Sequence, residues 1–334
     1  CRQTTMHRQS SKIADWQGGD TSTKAEKAGQ TNRALRRVLT DSIGEGAIHE
    51  LIRKLPRSIS YRVKKWMRPG VIRIDSLRDH VDQPGVVPFR CNVCSTLCAA
   101  VISDLSRETG HCPVCNTQMR GRSLVHLLSM RLFGKSLVID EFPEHARELV
   151  GIGMSDVGQY AEFLQRKLRY TNTFYHKNPR LDIQNPGPEH IGAYDFVISS
   201  DVMEHVPPPI SSAFKNLRAI LKTGGVLVLT VPFTMNDETH EHFPDLYEYQ
   251  IVKRNGSYIL TNRTVNGQVQ EHGNLMFHGG PGSTLEMRVF SESGLLRELG
   301  RAGFGDITVH REPCCDAGIY WKDAWSVPIT AVAI

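Results

Sequence analysis

Apolar positions recur along this chain in two registers, and the change from one to the other divides it. From Ala47 to Met67, "AIHELIRKLPRSISYRVKKWM" sets Ile48, Leu51, Ile52, Leu55, Ile59, Val63 and Met67 at helical spacing, broken at Pro56. This predicts a kinked pair of amphipathic helices. Further on, short apolar runs predict strands at "SLVID" (136–140), "ELVGIG" (148–153), "RYTNTF" (169–174), "PRLDI" (179–183), "DFVISS" (195–200), "GVLVLTV" (225–231), "DITVH" (306–310) and "PITAVAI" (328–334). Helical spacing fills several of the gaps: "SLVHLLSMRLF", then "VGQYAEFLQRKL", then Ile210, Phe214, Leu217 and Leu221 ahead of Gly224-Gly225, and last a run from a cap at Ser291 through Leu295 and Leu299 to Gly303. Strands alternating with helices predict an α/β fold, a doubly wound, mostly parallel sheet.

Two stretches do not follow this alternation. Residues 1–45 are polar, and too few apolar groups are present to offset the entropy of ordering, so disorder is expected. The stretch 234–288 carries two turn signals, Asn255-Gly256 and Asn266-Gly267, between "YEYQIVKR", "SYILTNRTV" and "QVQEH". It predicts a β-ribbon insert after a central strand, a place suited to a lid that selects substrate.

Composition adds limits. The chain of 334 residues is 40% hydrophobic and 22% charged, as soluble globular proteins are, and no window of about eighteen apolar residues suits a membrane span. No apolar secretory segment is visible, which points to the cytoplasm. A start at Cys1 and an end in "ITAVAI" suit a piece of a longer chain. The net charge of +5 is concentrated: residues 1–79 hold 17 Lys/Arg against 8 Asp/Glu, leaving 23 against 27 for the rest. That basic leader reads as a solvated, partly disordered helix, with nucleic acid (RNA) or an anionic membrane surface as alternative partners.

The cysteines mark a separate module. Cys91, Cys94, Cys112 and Cys115 form C-x2-C-x17-C-x2-C, two knuckles spaced to close tetrahedrally on one structural zinc ion. The metal would replace a core that about 25 residues cannot build alone. Four thiolates fill the ion's coordination, so the site reads as structural and not catalytic. The expected organisation is a polar leader (1–45), basic amphipathic helices (46–84), a zinc ribbon (85–122) and an α/β domain (123–334) containing the insert.

The stretch "YDFVISSDVMEHVPPPI" (194–210) carries the candidate chemistry. A buried strand ends on Ser199 and Ser200 and then presents Asp201, Glu204 and His205 within five positions. Open α/β sheets place ligands at such carboxyl ends. "YDFVISSDVMEHV", a helix, and "LKTGGVLVLTVPF" together resemble the fourth and fifth strand region of class I S-adenosylmethionine-dependent methyltransferases. The resemblance covers roughly 147–233, with echoes in "VFSESGLLRELGRAGF" and the last strand. It implies a Rossmann-like sheet with S-adenosyl-L-methionine across its strand tips. It also implies cofactor contacts at Gly151, Gly153 and Asp156 in a shortened glycine loop, at Asn172 where the family usually has an acid, at Asp182 and Ile183 beside the adenine, and at Ser200 and Asp201.

Methyl transfer asks chiefly for alignment in a site that excludes water, and a hydroxyl acceptor also needs a base. His205 is the candidate base, with Glu204 or Asp201 orienting it, and His240 of "TMNDETHEHFPDLYEY" is a second candidate supplied from the lid. That run could alternatively hold a divalent metal. A zinc ribbon ahead of a weakened glycine loop resembles a bacterial group of methyltransferases associated with glycan or secondary-metabolite modification, and that resemblance implies methylation of a hydroxyl on a saccharide or small metabolite. The alternatives are a ribosomal RNA methyltransferase and a non-catalytic scaffold on a degenerate methyltransferase fold.

Overall fold

The computed structural model describes residues 71–75 and 85–334, and 71–334 form one compact unit. The leader (1–45) and the helices expected within 46–84 lie outside the described residues, apart from the short strand at Ile72.

The cysteine module comes first. Strands β1 (Ile72–Arg73), β2 (Val86–Arg90) and β3 (Leu97–Val101) form an antiparallel sheet in the order β1-β3-β2. The two knuckles repeat one another. In the first, the Ser95 amide donates to the Cys91 carbonyl and the Cys91 amide to Thr96, each at 2.9 Å; in the second, Asn116 donates to Cys112 and Cys112 to Thr117, also at 2.9 Å. Ser95 and Asn116 both take φ 64°, the left-handed turn that lets a knuckle close. The repeat is visible in sequence as "CNVCST" and "CPVCNT".

Helix α1 (Met119–Phe133) leads from this module into the central sheet. Strands β4 (Val150–Met154), β5 (Arg169–Thr173), β6 (Tyr194–Ser200) and β7 (Leu221–Thr230) are parallel. Helices α2 (Gly158–Lys167) and α3 (Ile210–Ile220) connect β4 to β5 and β6 to β7. The insert contributes β8 (Phe233–Thr234), β9 (His240–Glu241), β10 (Glu248–Arg254), β11 (Ser257–Arg263), β12 (Val269–His272), β13 (Phe277–His278), β14 (Thr284–Leu285) and β15 (Arg288–Ser291). Helix α4 (Glu292–Arg301) then leads to β16 (Phe304–Val309) and β17 (Ile329–Ala333), and the sheet reads β16-β17-β7-β6-β4-β5.

Period-two alternation divides the sheet's side chains between two cores. Phe196, Ile198, Val226 and Val228 face Leu124, Leu128, Tyr160 and Leu164 of α1 and α2. Val197, Leu227, Leu229 and Ala331 face Phe214, Leu217, Leu295 and Leu299 of α3 and α4. The first core continues without a break into Phe89, Val93, Cys98 and Leu105. The ribbon expected as a separate domain therefore shares its core with the sheet. Arg122, wholly buried, ties it further by donating to the carbonyls of Gly110, Thr117, Ala317 and Gly318.

Most of the expected elements form, with four differences. The helix expected to pass Leu221 and close at Gly224-Gly225 ends at Ile220, and Leu221 and both glycines lie inside β7. Residues 136–140 give one 3-10 turn at Ile139–Glu141, whose Ile139 amide bonds the Asn92 carbonyl instead of a neighbouring strand. Residues 179–183 make a single bridge, Arg180 to Phe174; Pro179 withholds a ladder donor, and Leu181 and Ile183 turn into the second core. Strand β17 runs antiparallel to both neighbours. The Ser291 cap forms as expected, its hydroxyl accepting from the Gly294 amide at 3.0 Å. In the insert, β10-β11-β12 is an antiparallel ribbon turning at Asn255-Gly256, where both residues have positive φ (50° and 85°).

Candidate active site

Beyond β4 and β6 the chain turns sharply, at Ser155 (φ 59°) and Asp201 (φ 54°). The sheet's strand order reverses between these two strands, because β4 leads to β5 on one side while β6 lies on the other. Neighbouring strand ends diverge at such a point and leave a crevice. It is a cavity of about 1400 Å³ lined by Met154, Ser155, Thr173, Asp201 and Pro232 from the strand tips, by Asp182 and Ile183 from the 179–185 loop, and by His278, Ser283 and Leu285 from the insert.

The ribbon also reaches this cavity. Arg107 and Glu108, from the loop between the knuckles, and Arg120, at the start of α1, line one side. Arg107 Nη2 pairs with Asp201 Oδ1, and Arg120 Nη1 lies 3.2 Å from Asp201 Oδ2. Arg120 also donates to Ser200 Oγ and, through Nε at 2.9 Å, to Glu108. Ser200 and Thr230 hydroxyls are 2.9 Å apart, and Thr230 donates to Asp201 at 3.2 Å. Neither Arg107 nor Arg120 stands out in the sequence; their only signal is a position in the inter-knuckle loop and just after it.

The expected glycine-loop residues occupy a different layer. A β-carbon on Gly151 would stand 2.0 Å from the Phe196 ring, and one on Gly153 would stand 1.8 Å from the Tyr170 hydroxyl and 2.1 Å from Asp156 Oδ2. These glycines make room for the protein's own side chains and do not line the cavity. Asp156 is buried and accepts hydrogen bonds from Tyr160 (2.6 Å) and Tyr170. Burial raises its carboxyl to about 7. Asn172 braces the same turn, accepting from the Asp156 amide at 2.9 Å and donating to its carbonyl at 2.8 Å. Asp182, Ile183 and Asp201 do line the cavity; Asp182 also accepts from the Gln184 amide at 3.0 Å.

Glu204 and His205 sit in a 3-10 turn, Met203–His205, that the insert covers. His205 Nδ1 faces the Leu285 carbonyl at 2.8 Å, and its Nε2 lies 3.1 Å from His278 Nδ1 and 3.7 Å from Glu204 Oε1. Glu286 bridges the insert's imidazoles, His278 Nε2 at 2.8 Å and His242 Nε2 at 2.9 Å. Glu204 is 1% exposed and neither carboxylate oxygen has a hydrogen-bond partner. Burial, then the charge of Asp201, raises its carboxyl to about 8, while burial lowers the His205 imidazole. His240, expected to face the site, lies on β9 with its side chain exposed and does not line the cavity. His278 and Glu286 were not singled out by the sequence, since they lie some seventy to eighty positions beyond the "DVMEHV" turn they meet.

The four knuckle sulfurs lie within 4.8 Å of one another, with Cys91–Cys115 at 3.6 Å and Cys94–Cys112 at 3.5 Å. A tetrahedral zinc ion with sulfur ligands at about 2.3 Å requires separations of about 3.8 Å, so the cage fits the ion. Thr96 and Thr117 hydroxyls lie 3.1 and 3.2 Å from Cys94 and Cys115, positioned to support thiolate charge.

Solved structures with similar chain paths include an S-adenosylmethionine-dependent methyltransferase from Clostridium acetobutylicum, at 12% identity and TM-score 0.32, covering 61% of this chain and 95% of that one. A glycopeptide N-methyltransferase complexed with S-adenosylhomocysteine is 14% identical with TM-score 0.34, over 58% and 91% of the two chains. The 1,6-didemethyltoxoflavin N1-methyltransferase of Burkholderia thailandensis is 15% identical with TM-score 0.32, over 57% and 74%. No curated protein matches the sequence. Among the described residues no helix is long and apolar enough to cross a membrane. The methyltransferase-domain family matches residues 129–278, which span β4 to β7, the Glu204–His205 turn and most of the insert, so this part of the chain is similar to a methyltransferase domain.

Proposed function

We propose that this protein transfers the methyl group of S-adenosylmethionine to a hydroxyl of a saccharide or other small metabolite. The observation that carries the reading is the open cavity over the tips of β4, β5 and β6, of about 1400 Å³. A pocket for one small ligand holds about 300–1000 Å³, so donor and acceptor fit together. The cofactor supplies an activated methyl group on a sulfonium. Its amino acid end is assigned to Ser155 and Asp201 with Arg107 and Arg120 behind, and its adenine to Asp182 and Ile183, as the family resemblance implies.

The acceptor is assigned to the end walled by Glu204, His205 and the insert. Because the Leu285 carbonyl accepts from His205 Nδ1, the lone pair of this imidazole is on Nε2, and His205 is poised to take the acceptor's proton. Tyr249 and Ile251 of β10 add an exposed apolar flank to the cavity. The four-cysteine cage is assigned one structural zinc ion.

Heat stabilisation by S-adenosylhomocysteine tests the reading. Saturation at a hundred times the dissociation constant contributes about 2.7 kcal/mol, a rise of roughly 4 °C for a chain of this size. No rise leaves only a scaffold. Methyl transfer from labelled cofactor to hydroxylated small molecules, and not to ribosomal RNA, is the expected activity; transfer to RNA alone overturns the substrate assignment.

A further inference from the structure

Three atoms with free electron pairs converge where the "DVMEHV" turn meets the insert. His205 Nδ1 faces a carbonyl, which can only accept, so its proton is on Nδ1 and Nε2 carries the lone pair. His278 Nε2 faces the Glu286 carboxylate at 2.8 Å, so its proton is there and Nδ1 carries the lone pair. These two lone-pair nitrogens point at one another across 3.1 Å. Beside them, Glu204 is 1% exposed, and neither of its carboxylate oxygens accepts a hydrogen bond. Three donor atoms of Glu204, His205 and His278 lie within 4.8 Å of one another.

Facing lone pairs repel, and a buried carboxylate without partners is costly. One proton between the imidazoles relieves the first problem and leaves the second. A cation relieves both. We propose that Glu204, His205 and His278 bind a divalent transition-metal ion at the acceptor end of the cavity. Two nitrogens at about 2.1 Å from one ion at a right angle are about 3.0 Å apart, close to the spacing found. The outer shell matches as well, because each ring donates its other N–H to a fixed acceptor, Leu285 or Glu286, as metal-bound imidazoles do. Two imidazoles and one carboxylate suit zinc, iron(II), cobalt or nickel over magnesium or calcium, which prefer oxygen throughout.

The site stands on its own geometry; its role rests on the function proposed above. His205, His278 and Leu285 line the cavity, so the ion's remaining positions face the space assigned to the acceptor. There a bound ion would hold an acceptor oxygen and lower its pKa, so that the acceptor's proton is released to water in the open cavity; without the ion, His205 takes that proton directly. Because His205 comes from the sheet's β6–α3 connection and His278 from β13, the ion also joins the insert to the domain.

The test is metal content of the full chain, stripped with chelator and dialysed against micromolar zinc, compared with Glu204→Gln and His278→Ala. Each variant is expected to hold one equivalent fewer than the unaltered chain, with the cysteine-bound equivalent kept. Glu286→Gln, a positioning change, is expected to keep the site with affinity lowered about 10–100-fold. Equal metal content in all chains overturns the proposal. His278 is partly exposed, so its truncation is expected to leave the fold intact, which the melting temperature of the variant checks. Stabilisation by S-adenosylhomocysteine, measured on the same samples, reports separately: its absence defeats the cofactor reading, and its presence with unchanged metal content defeats only the ion.

Discussion

Arg107, in the loop between the two cysteine knuckles, is ion-paired with Asp201 at the tip of β6, 94 residues further along the chain. Both side chains are largely shielded from water, at 13% and 21% exposure. A pair held in this way depends on both partners, because losing one leaves the other charge poorly solvated. The four-cysteine module therefore forms one wall of the site.

Arg107→Ala tests that dependence. With Arg120 still 3.2 Å from Asp201, the charge keeps one partner, so the expected destabilisation is about 1–3 kcal/mol and not the full cost of an isolated buried ion. Affinity for S-adenosylhomocysteine should fall about tenfold or more, because Asp201 loses its fixed orientation. Calorimetric titration checks this; unchanged affinity would separate the ribbon from the cofactor site.

Removing the zinc ion proposed for the knuckles should disturb the sheet as well as the ribbon. Cys91, Cys98 and Cys112 share a core with Leu124, Tyr160 and Phe196, so no boundary isolates the module. A structural zinc ion contributes on the order of 10 kcal/mol to folding a site of this kind. Cys112→Ser is expected to lose the cysteine-bound equivalent and to lower the melting temperature by about 10 °C or more. A variant that loses the metal and melts as before would show the ribbon to be an appendage.

Gly151→Ala and Gly153→Ala separate a packing role from a ligand role. Each new methyl meets an aromatic side chain fixed in the core, Phe196 at 2.0 Å or Tyr170 at 1.8 Å. Neither ring has a flexible end to move aside, so each change should cost about 3 kcal/mol or more. The folded fraction should still bind S-adenosylhomocysteine as tightly as the unaltered chain. Binding lost without a loss of stability would return these glycines to the cofactor loop.

How much of this was legible in the sequence depends on the range of the interaction involved. The "CNVC" and "CPVC" knuckles, the Ser291 cap and the Asn255-Gly256 turn are set by neighbours within six positions, and all three form. The strand expected at 136–140 is apolar, but its burial comes from Asn92 and the ribbon, a partner that periodicity cannot reveal. "VGIGMSD" has glycines at the spacing of a ligand-binding loop, yet what fills the space above them are Tyr170 of the next strand in sequence and Phe196 of the one after it. Glu204 and His205 were visible as a cluster; His278 and Glu286 reach them only because the insert folds back over β6.

Asp156 gives the fold a dependence on pH whose sign can be worked out. Its carboxyl titrates near 3.8 when unfolded and at about 7 when folded, because burial opposes its charge more than Tyr160 and Tyr170 support it. Below about pH 4 the group is neutral in both states and carries no penalty. Between those values the folded chain keeps a proton that the unfolded chain has lost, so stability falls as pH rises, and above about 7 the loss is constant. From pH 5 to pH 8 the fall should be about 2–3 kcal/mol. Urea unfolding of the unaltered chain and of Asp156→Asn across this range isolates the contribution, because other titrating groups act equally on both. The difference between the two curves should shift by that amount toward the variant as pH rises. Parallel curves would mean that the Asp156 carboxylate is already stabilised in its ionised form by the two tyrosines, and that the turn after β4 tolerates a buried charge.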